Sequence, residues 1–107
     1  MSVYGAWKNA VITFATNATT SAAVDLGRDY DYVQIYIPTI DSANVSFTVS
    51  EIAGGTYYTL GSGNAIVTAG TGGFVTTVNL GGYQFIKVIT SADQTENRTF
   101  RVRGSRP

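Results

Sequence analysis

The sequence predicts an all-β domain of about eight short strands, closed as a sandwich or a barrel. Three observations predict it. The 12 glycines and the abundance of Thr and Val depress helix propensity along the whole chain. Apolar residues recur with a period of two, as strands require, and no helical period of useful length appears. Turn residues interrupt the runs at roughly 8–12-residue spacing. At 107 residues the chain is one domain. Its hydrophobic share of 44% is enough to fill one core.

Met1 to Asn9 has no clean period and reads as an extended N-terminal arm, with the sandwich domain over residues 10–107. The arm carries Tyr4, Trp7 and Lys8. Trp7 either folds back over one end of the core or anchors on a partner, where exposed aromatics contribute disproportionate energy. Ala10 to Thr16 reads as the first strand, with Ile12 and Phe14 inward. Asn17 to Ser21 is a polar turn, and Ala22 to Leu26 is a short strand with Val24 and Leu26 inward, ended by Gly27. Arg28-Asp29-Tyr30-Asp31 reads as a turn.

The cleanest alternation follows. Val33, Ile35 and Ile37 define one face, and Tyr32, Gln34 and Tyr36 the other, so one face is dry and one amphipathic. Pro38 stops the strand, because proline cannot donate to a ladder. Val45, Phe47 and Val49 then alternate with Ser46, Thr48 and Ser50. The Ala53-Gly54-Gly55 turn and Thr56 to Leu60 complete a hairpin over 44–60. Gly61 to Asn64 reads as a loop, Ala65 to Thr68 is short and apolar, and Ala69 to Gly73 reads as a flexible connector. Phe74 to Leu80 is a strand with Phe74, Thr76 and Val78 on one side, followed by a Gly81-Gly82 turn.

Tyr83 to Thr90 is the densest β signal in the chain. Both of its faces carry large apolar groups, so it belongs inside the sheet with others assembled around it. Ser91 to Asn97 is a polar loop and the expected site of tolerated insertion. Arg98 to Arg103 is the last strand, with Phe100 and Val102 inward and Arg101 and Arg103 outward.

The chain has no His and no Cys. Triads with a His base, thiol chemistry, disulfides and Cys/His zinc sites are therefore excluded. Gly70-Thr71-Gly72-Gly73 lacks the lysine and the helix of a phosphate loop. Asp29 and Asp31 form the one carboxylate pair of interest, but a glycosidase cleft needs a larger domain. Asp25, Asp29 and Asp31 could offer oxygen ligands to calcium, yet without EF-hand spacing they read as Asx-turn residues. The expectation is a protein with no enzymatic activity, no cofactor and no metal.

Charged residues are 13% of the chain, about half the usual ~25%. Formal net charge is zero, which argues against nucleic acid and anionic membrane as partners. The charges are segregated, however. Asp25, Asp29, Asp31, Asp41 and Glu51 lie in the first half, while Arg98, Arg101, Arg103 and Arg106 lie in the last ten residues. A basic end of this kind suits an acidic neighbour, either another copy or a different protein. No run approaches the ~20 apolar residues of a membrane-spanning helix. Ala10 to Ala15 is too short, and too broken by Thr13, for a signal peptide. Tyr30, Tyr32, Tyr36, Tyr57 and Tyr58 outnumber what a small core needs, so they cover the sheet, contact protein or stack on sugar.

Four stretches carry a family resemblance. They are Val24 to Ile35 (VDLGRDYDYVQI), Gly54 to Leu60 (GGTYYTL), Leu80 to Val88 (LGGYQFIKV) and Arg98 to Gly104 (RTFRVRG). Together they resemble the jelly-roll cement or decoration proteins on the outside of tailed-phage heads. The resemblance implies an antiparallel β-sandwich of jelly-roll type. It also implies a virion protein on the capsid exterior, made in the host cytoplasm. Its partners would be the major capsid protein and itself, as a homodimer or homotrimer. No catalytic residue comes with it. The candidate contact residues are Tyr4, Trp7, Lys8, Tyr32, Tyr36, Arg101, Arg103 and Arg106. The Val-Asp-Leu-Gly and Leu-Gly-Gly-Tyr rhythm is also similar to discoidin-like sugar-binding sandwiches. That likeness implies a carbohydrate-binding module using Tyr32, Tyr36, Tyr57 or Tyr58. A phage tail or baseplate component is the third reading.

Overall fold

A computed structural model describes residues 3–60 and 67–106. Within them are eight strands and no helix: β1 (Val3–Tyr4), β2 (Lys8–Ile12), β3 (Val24–Ile37), β4 (Ala43–Ser50), β5 (Tyr58–Thr59), β6 (Val67–Gly70), β7 (Phe74–Thr90) and β8 (Arg98–Arg106). Every pairing is antiparallel. The strands form one hydrogen-bonded sheet in the order β1-β8-β3-β7-β4-β5, with β2 also on β8 and β6 also on β4. This is the all-β antiparallel sandwich, jelly-roll-like, that the sequence predicts.

One sheet makes a sandwich because β3 and β7 run through both layers. At one end, Tyr32 to Ile37 pair with Phe74 to Asn79, and β8 flanks β3 there through Arg101 to Ser105. At the other end, Val24 and Asp25 pair with Ile86 and Phe85, and β4 flanks β7 there through Val45 to Ser50. Between the two ends the register shifts at Asp25/Tyr30 and again at Tyr30/Tyr32. Gly27, Gly81 and Gly82 take positive φ at this bend, a conformation that costs L side chains energy. The stretches Arg28 to Asp31 and Gly81-Gly82, expected as turns, are therefore bends inside continuous strands. Local turn propensity was read correctly, but long-range pairing carries the chain straight through.

The fold-over closes one core. Val33, Ile35, Ile37, Val45, Phe47, Val49, Ile86, Val88, Phe100, Val102, Ala10 and Ile12 are all buried in it. The alternation read in β3 and β4 is the observed one. So is the interior position of β7, which is paired with β3 along one edge and β4 along the other.

Other expectations change. Phe14 is 46% exposed rather than inward, because β2 ends at Ile12. The Thr13 carbonyl accepts the amides of both Thr16 and Asn17, each at 2.9 Å, and turns the chain away. The stretch read as an arm lies along the sheet instead: β1 and β2 both pair with β8. The returning hairpin strand is shorter than Thr56 to Leu60, with β5 covering only Tyr58–Thr59. The Gly61 to Asn64 loop, and Ala65 and Ile66 of the short apolar stretch, lie outside the described residues. Ala69 and Gly70 belong to β6 rather than to a connector.

The Ser91 to Asn97 loop is tied down, against the expectation of a permissive site. Gln94 is 3% exposed. Its Oε1 accepts the Asp41 amide at 2.9 Å and the Arg98 Nε–H at 3.2 Å. Its Nε2 donates to the Asp41 and Ala92 carbonyls. Replacing Gln94 by Ala is expected to lower the unfolding free energy by about 1–3 kcal/mol, the cost of stranding buried partners. Denaturant titration measures it.

Asp41 adds a pH signature. The Thr95 backbone N–H, at 2.7 Å, holds its carboxyl below the usual carboxylate range, helped by the Thr95 hydroxyl and then the Arg98 charge. A depressed folded-state value stabilises the fold above the ordinary carboxylate pKa of about 4 and loses that effect as pH falls through the depressed value. The stability gap between wild type and Asp41→Asn should therefore narrow as pH drops below about 4.

Candidate functional site

The site is built by alternation. Since Val33, Ile35 and Ile37 point into the core, Tyr32, Gln34 and Tyr36 point out. Register then fixes their neighbours in three rows. Tyr32 lies between Asn79 and Ser105, Gln34 between Thr77 and Arg103, and Tyr36 between Val75 and Arg101. β1 extends the first row, because Tyr4 is opposite Ser105. Tyr4 and Val75 are each 58% exposed, and Tyr32 and Tyr36 are each 40% exposed. The rows carry two arginines and no carboxylate.

Their side chains are preorganised. Gln34 Nε2 donates to Ser105 Oγ at 2.9 Å, and Gln34 Oε1 accepts the Arg103 Nε–H at 3.4 Å. The Arg103 guanidinium sits 4.7 Å from the Tyr4 ring centre and 4.8 Å from that of Trp7. This cation–π contact to two rings fixes the first residues of the chain against β8. Trp7, Tyr36, Val75 and Arg101 line a shallow depression at the adjoining end of the face. Among the described residues the ion pairs all involve Arg98, so neither Arg101 nor Arg103 is neutralised by a carboxylate.

Six of the eight candidate contact residues thus share one face: Tyr4, Trp7, Tyr32, Tyr36, Arg101 and Arg103. Lys8 and Arg106 fall outside it. They are in register with Val102 and Val3, one position out of phase with Arg101 and Ser105. The tyrosines proposed for sugar do not converge. Tyr57 is half-buried with the Lys87 Nζ 4.5 Å above its ring, and Tyr58 stands 70% exposed at the hairpin, apart from Tyr32 and Tyr36. Tyr30, counted among the exposed aromatics, is 5% exposed. Val75 was not singled out from sequence, although the alternation that sets Phe74, Thr76 and Val78 on one side of their strand puts it on the other.

Among the described residues no group of three His, Cys, Asp or Glu side chains is positioned to hold a metal. Asp25 is committed to structure. Its Oδ1 accepts Gln84 Nε2 and the Gly27 amide, each at 2.8 Å, and both bonds hold its carboxyl below the usual range.

No protein-family model matches the chain, and no curated protein matches it. Among solved structures, the chain is similar to the SPBc2 prophage-derived protein YomS over 94% of this chain and 95% of that one, with a TM-score of 0.51 at 11% identity. It also aligns with CBM32-1 from a family 31 glycoside hydrolase of Clostridium perfringens, covering 75% of this chain and 67% of that one, with a TM-score of 0.48 at 18% identity. A third is chitosan-binding module 1 of a chitosanase/glucanase from Paenibacillus sp. IK-5, with 75% and 64% covered, a TM-score of 0.46 and 17% identity. The chain therefore spans less than two thirds of that module. At these identities the likeness to YomS concerns the fold, and the two weaker alignments decide nothing.

Proposed function

We propose that the chain is a non-enzymatic virion structural protein that binds the outside of a phage capsid and strengthens contacts between major capsid protein subunits. The observation that carries this reading is the rigid Tyr4/Trp7/Tyr32/Tyr36 face with its two unneutralised arginines. Trp, Tyr and Arg are the residue types that dominate protein–protein hot spots, and they bind at low entropy cost when already held in place. The sequence resemblance to cement proteins and a fold shared with a prophage-derived protein support the same reading. The physics suits the task. A shell under internal DNA pressure gains from many small rigid bridges, each adding buried area and needing no chemistry.

The test is sedimentation of empty phage heads after mixing with the protein. Wild type is expected in the pellet, and Trp7→Ala combined with Tyr36→Ala should weaken attachment at least about tenfold. Protein that stays in the supernatant sinks the proposal. A second reading has one observation in its favour: Trp7 and Tyr36 wall the same depression, as a sugar-stacking site would. Under that reading a glycan array gives a hit that Tyr36→Ala removes, and Trp7 emission shifts on adding the sugar.

A further inference from the structure

The hairpin after β4 presents a rigid apolar corner. Ile52 is 65% exposed. Exposed isoleucines usually sit on yielding loops, but this backbone is held. Ser50 is 2% exposed, its Oγ donates to the Ile52 carbonyl at 2.8 Å, and it accepts the Ile52 amide at 3.3 Å. The Gly55 amide donates to the same carbonyl at 3.2 Å. Glu51 stands beside Ile52, exposed and outside every ion pair among the described residues. The corner is therefore an apolar knob with one negative charge.

At the other end of the molecule is its complement. The depression lined by Trp7, Tyr36, Val75 and Arg101 is apolar with one positive charge. It lies at the end of β3, where residues 38–42 lead into the start of β4, whereas the knob follows the end of β4. The eight residues of β4 separate them by about 26 Å at ~3.3 Å per residue. One copy cannot fill its own depression.

We propose that the Glu51–Ile52 corner of one copy seats in the Trp7/Tyr36/Val75/Arg101 depression of the next, with Glu51 against Arg101. This rests on the reading of that face as a protein-contact face, and it assigns only the depression at its Trp7 end to a second copy, leaving Tyr4, Tyr32 and Arg103 to the capsid. Because knob and depression are different surfaces, the contact is head-to-tail. One contact leaves a knob and a depression free, so copies add until they close a ring, of which the reciprocal two-fold pair is the smallest.

Light scattering across a concentration series tests it on the full chain. Wild type is expected as a discrete oligomer of two or more copies. Glu51→Arg and Arg101→Glu should each weaken association about tenfold or more, as like charges then meet, and the double swap should restore it. Ile52→Asp should dissociate the ring without touching either charge partner. All three positions are exposed, so thermal melts at concentrations where every variant is monomeric should be unchanged. A monomer at every concentration overturns the proposal, and so does an oligomer indifferent to both reversals. A monomer that still pellets with phage heads would overturn the ring and leave the capsid reading intact. A ring that the double swap restores but that stays in the supernatant would do the reverse.

Discussion

Replacing Phe47 by alanine is expected to lower the unfolding free energy by about 3–5 kcal/mol, the range for emptying a fully buried aromatic site. Phe47 is fully buried in the middle of β4, in register with Val88. Val45 and Val49 flank it on the same face, opposite Thr90 and Ile86. The cavity could shrink only if β4 moved inward. β4 is hydrogen-bonded to β7 along one edge and to β5 and β6 along the other, and the Phe47 carbonyl also accepts the Leu60 amide at 2.9 Å. Little collapse is available, so the upper half of the range applies. Domains of this size are stable by about 5–15 kcal/mol, so the variant should sit near the edge of folding at 37 °C. Denaturant titration should show a lower midpoint with an unchanged slope. Phe47→Leu keeps most of the volume and should cost less than about 1.5 kcal/mol. Equal losses for the two variants would mean that the cavity is not what matters.

The strands around Phe47 were legible because each has one wet face and one dry one. Alternation then states the answer directly, as in Val33/Ile35/Ile37 against Tyr32/Gln34/Tyr36. The continuity of β3 and β7 was not legible. Gly27 and Gly81-Gly82 carry the local signature of a turn, and a strand bending between two layers needs the same backbone conformations. Only the pairing of Val24 with Ile86, and of Tyr32 with Asn79, separates the two cases. Gln94 was hidden for a related reason, since the partner that buries it, Asp41, is 53 residues away. The interaction face divides the same way. Tyr32, Tyr36, Arg101 and Arg103 follow from alternation. Tyr4 and Trp7 sit in a stretch with no period, and their place depends on pairing with β8 and on the Arg103 side chain.

Gly104→Val is expected to cost about 3 kcal/mol, the top of the usual range for overpacking. A Cβ at Gly104 would fall onto the Tyr30 ring carbons. Neither side can yield. Gly104 pairs with Val33 in β3, and its carbonyl accepts the Gly5 amide at 2.8 Å. The Tyr30 ring is 5% exposed, and its hydroxyl fills the space that a Cβ at Gly5 would need. Two glycines thus explain why a tyrosine that looked superfluous is buried: the bare backbone of Gly5 and Gly104 leaves a slot for its ring. Tyr30→Ala alone should cost about 3 kcal/mol through the emptied slot. Combined with Gly104→Val, the valine occupies part of that slot, and the double variant should be more stable than the summed losses by about 1–3 kcal/mol. Additive losses would show that ring and glycine do not meet. The consequence reaches the interaction face. Gly5 lies between Tyr4 and Trp7, so emptying the slot should loosen both from Arg103. Tyr30→Ala is therefore expected to shift Trp7 emission to longer wavelength and to weaken ring formation, although residue 30 touches neither surface. A Tyr30→Ala protein with unchanged emission and unchanged mass would mean that β8 pairing alone holds the first strand in place.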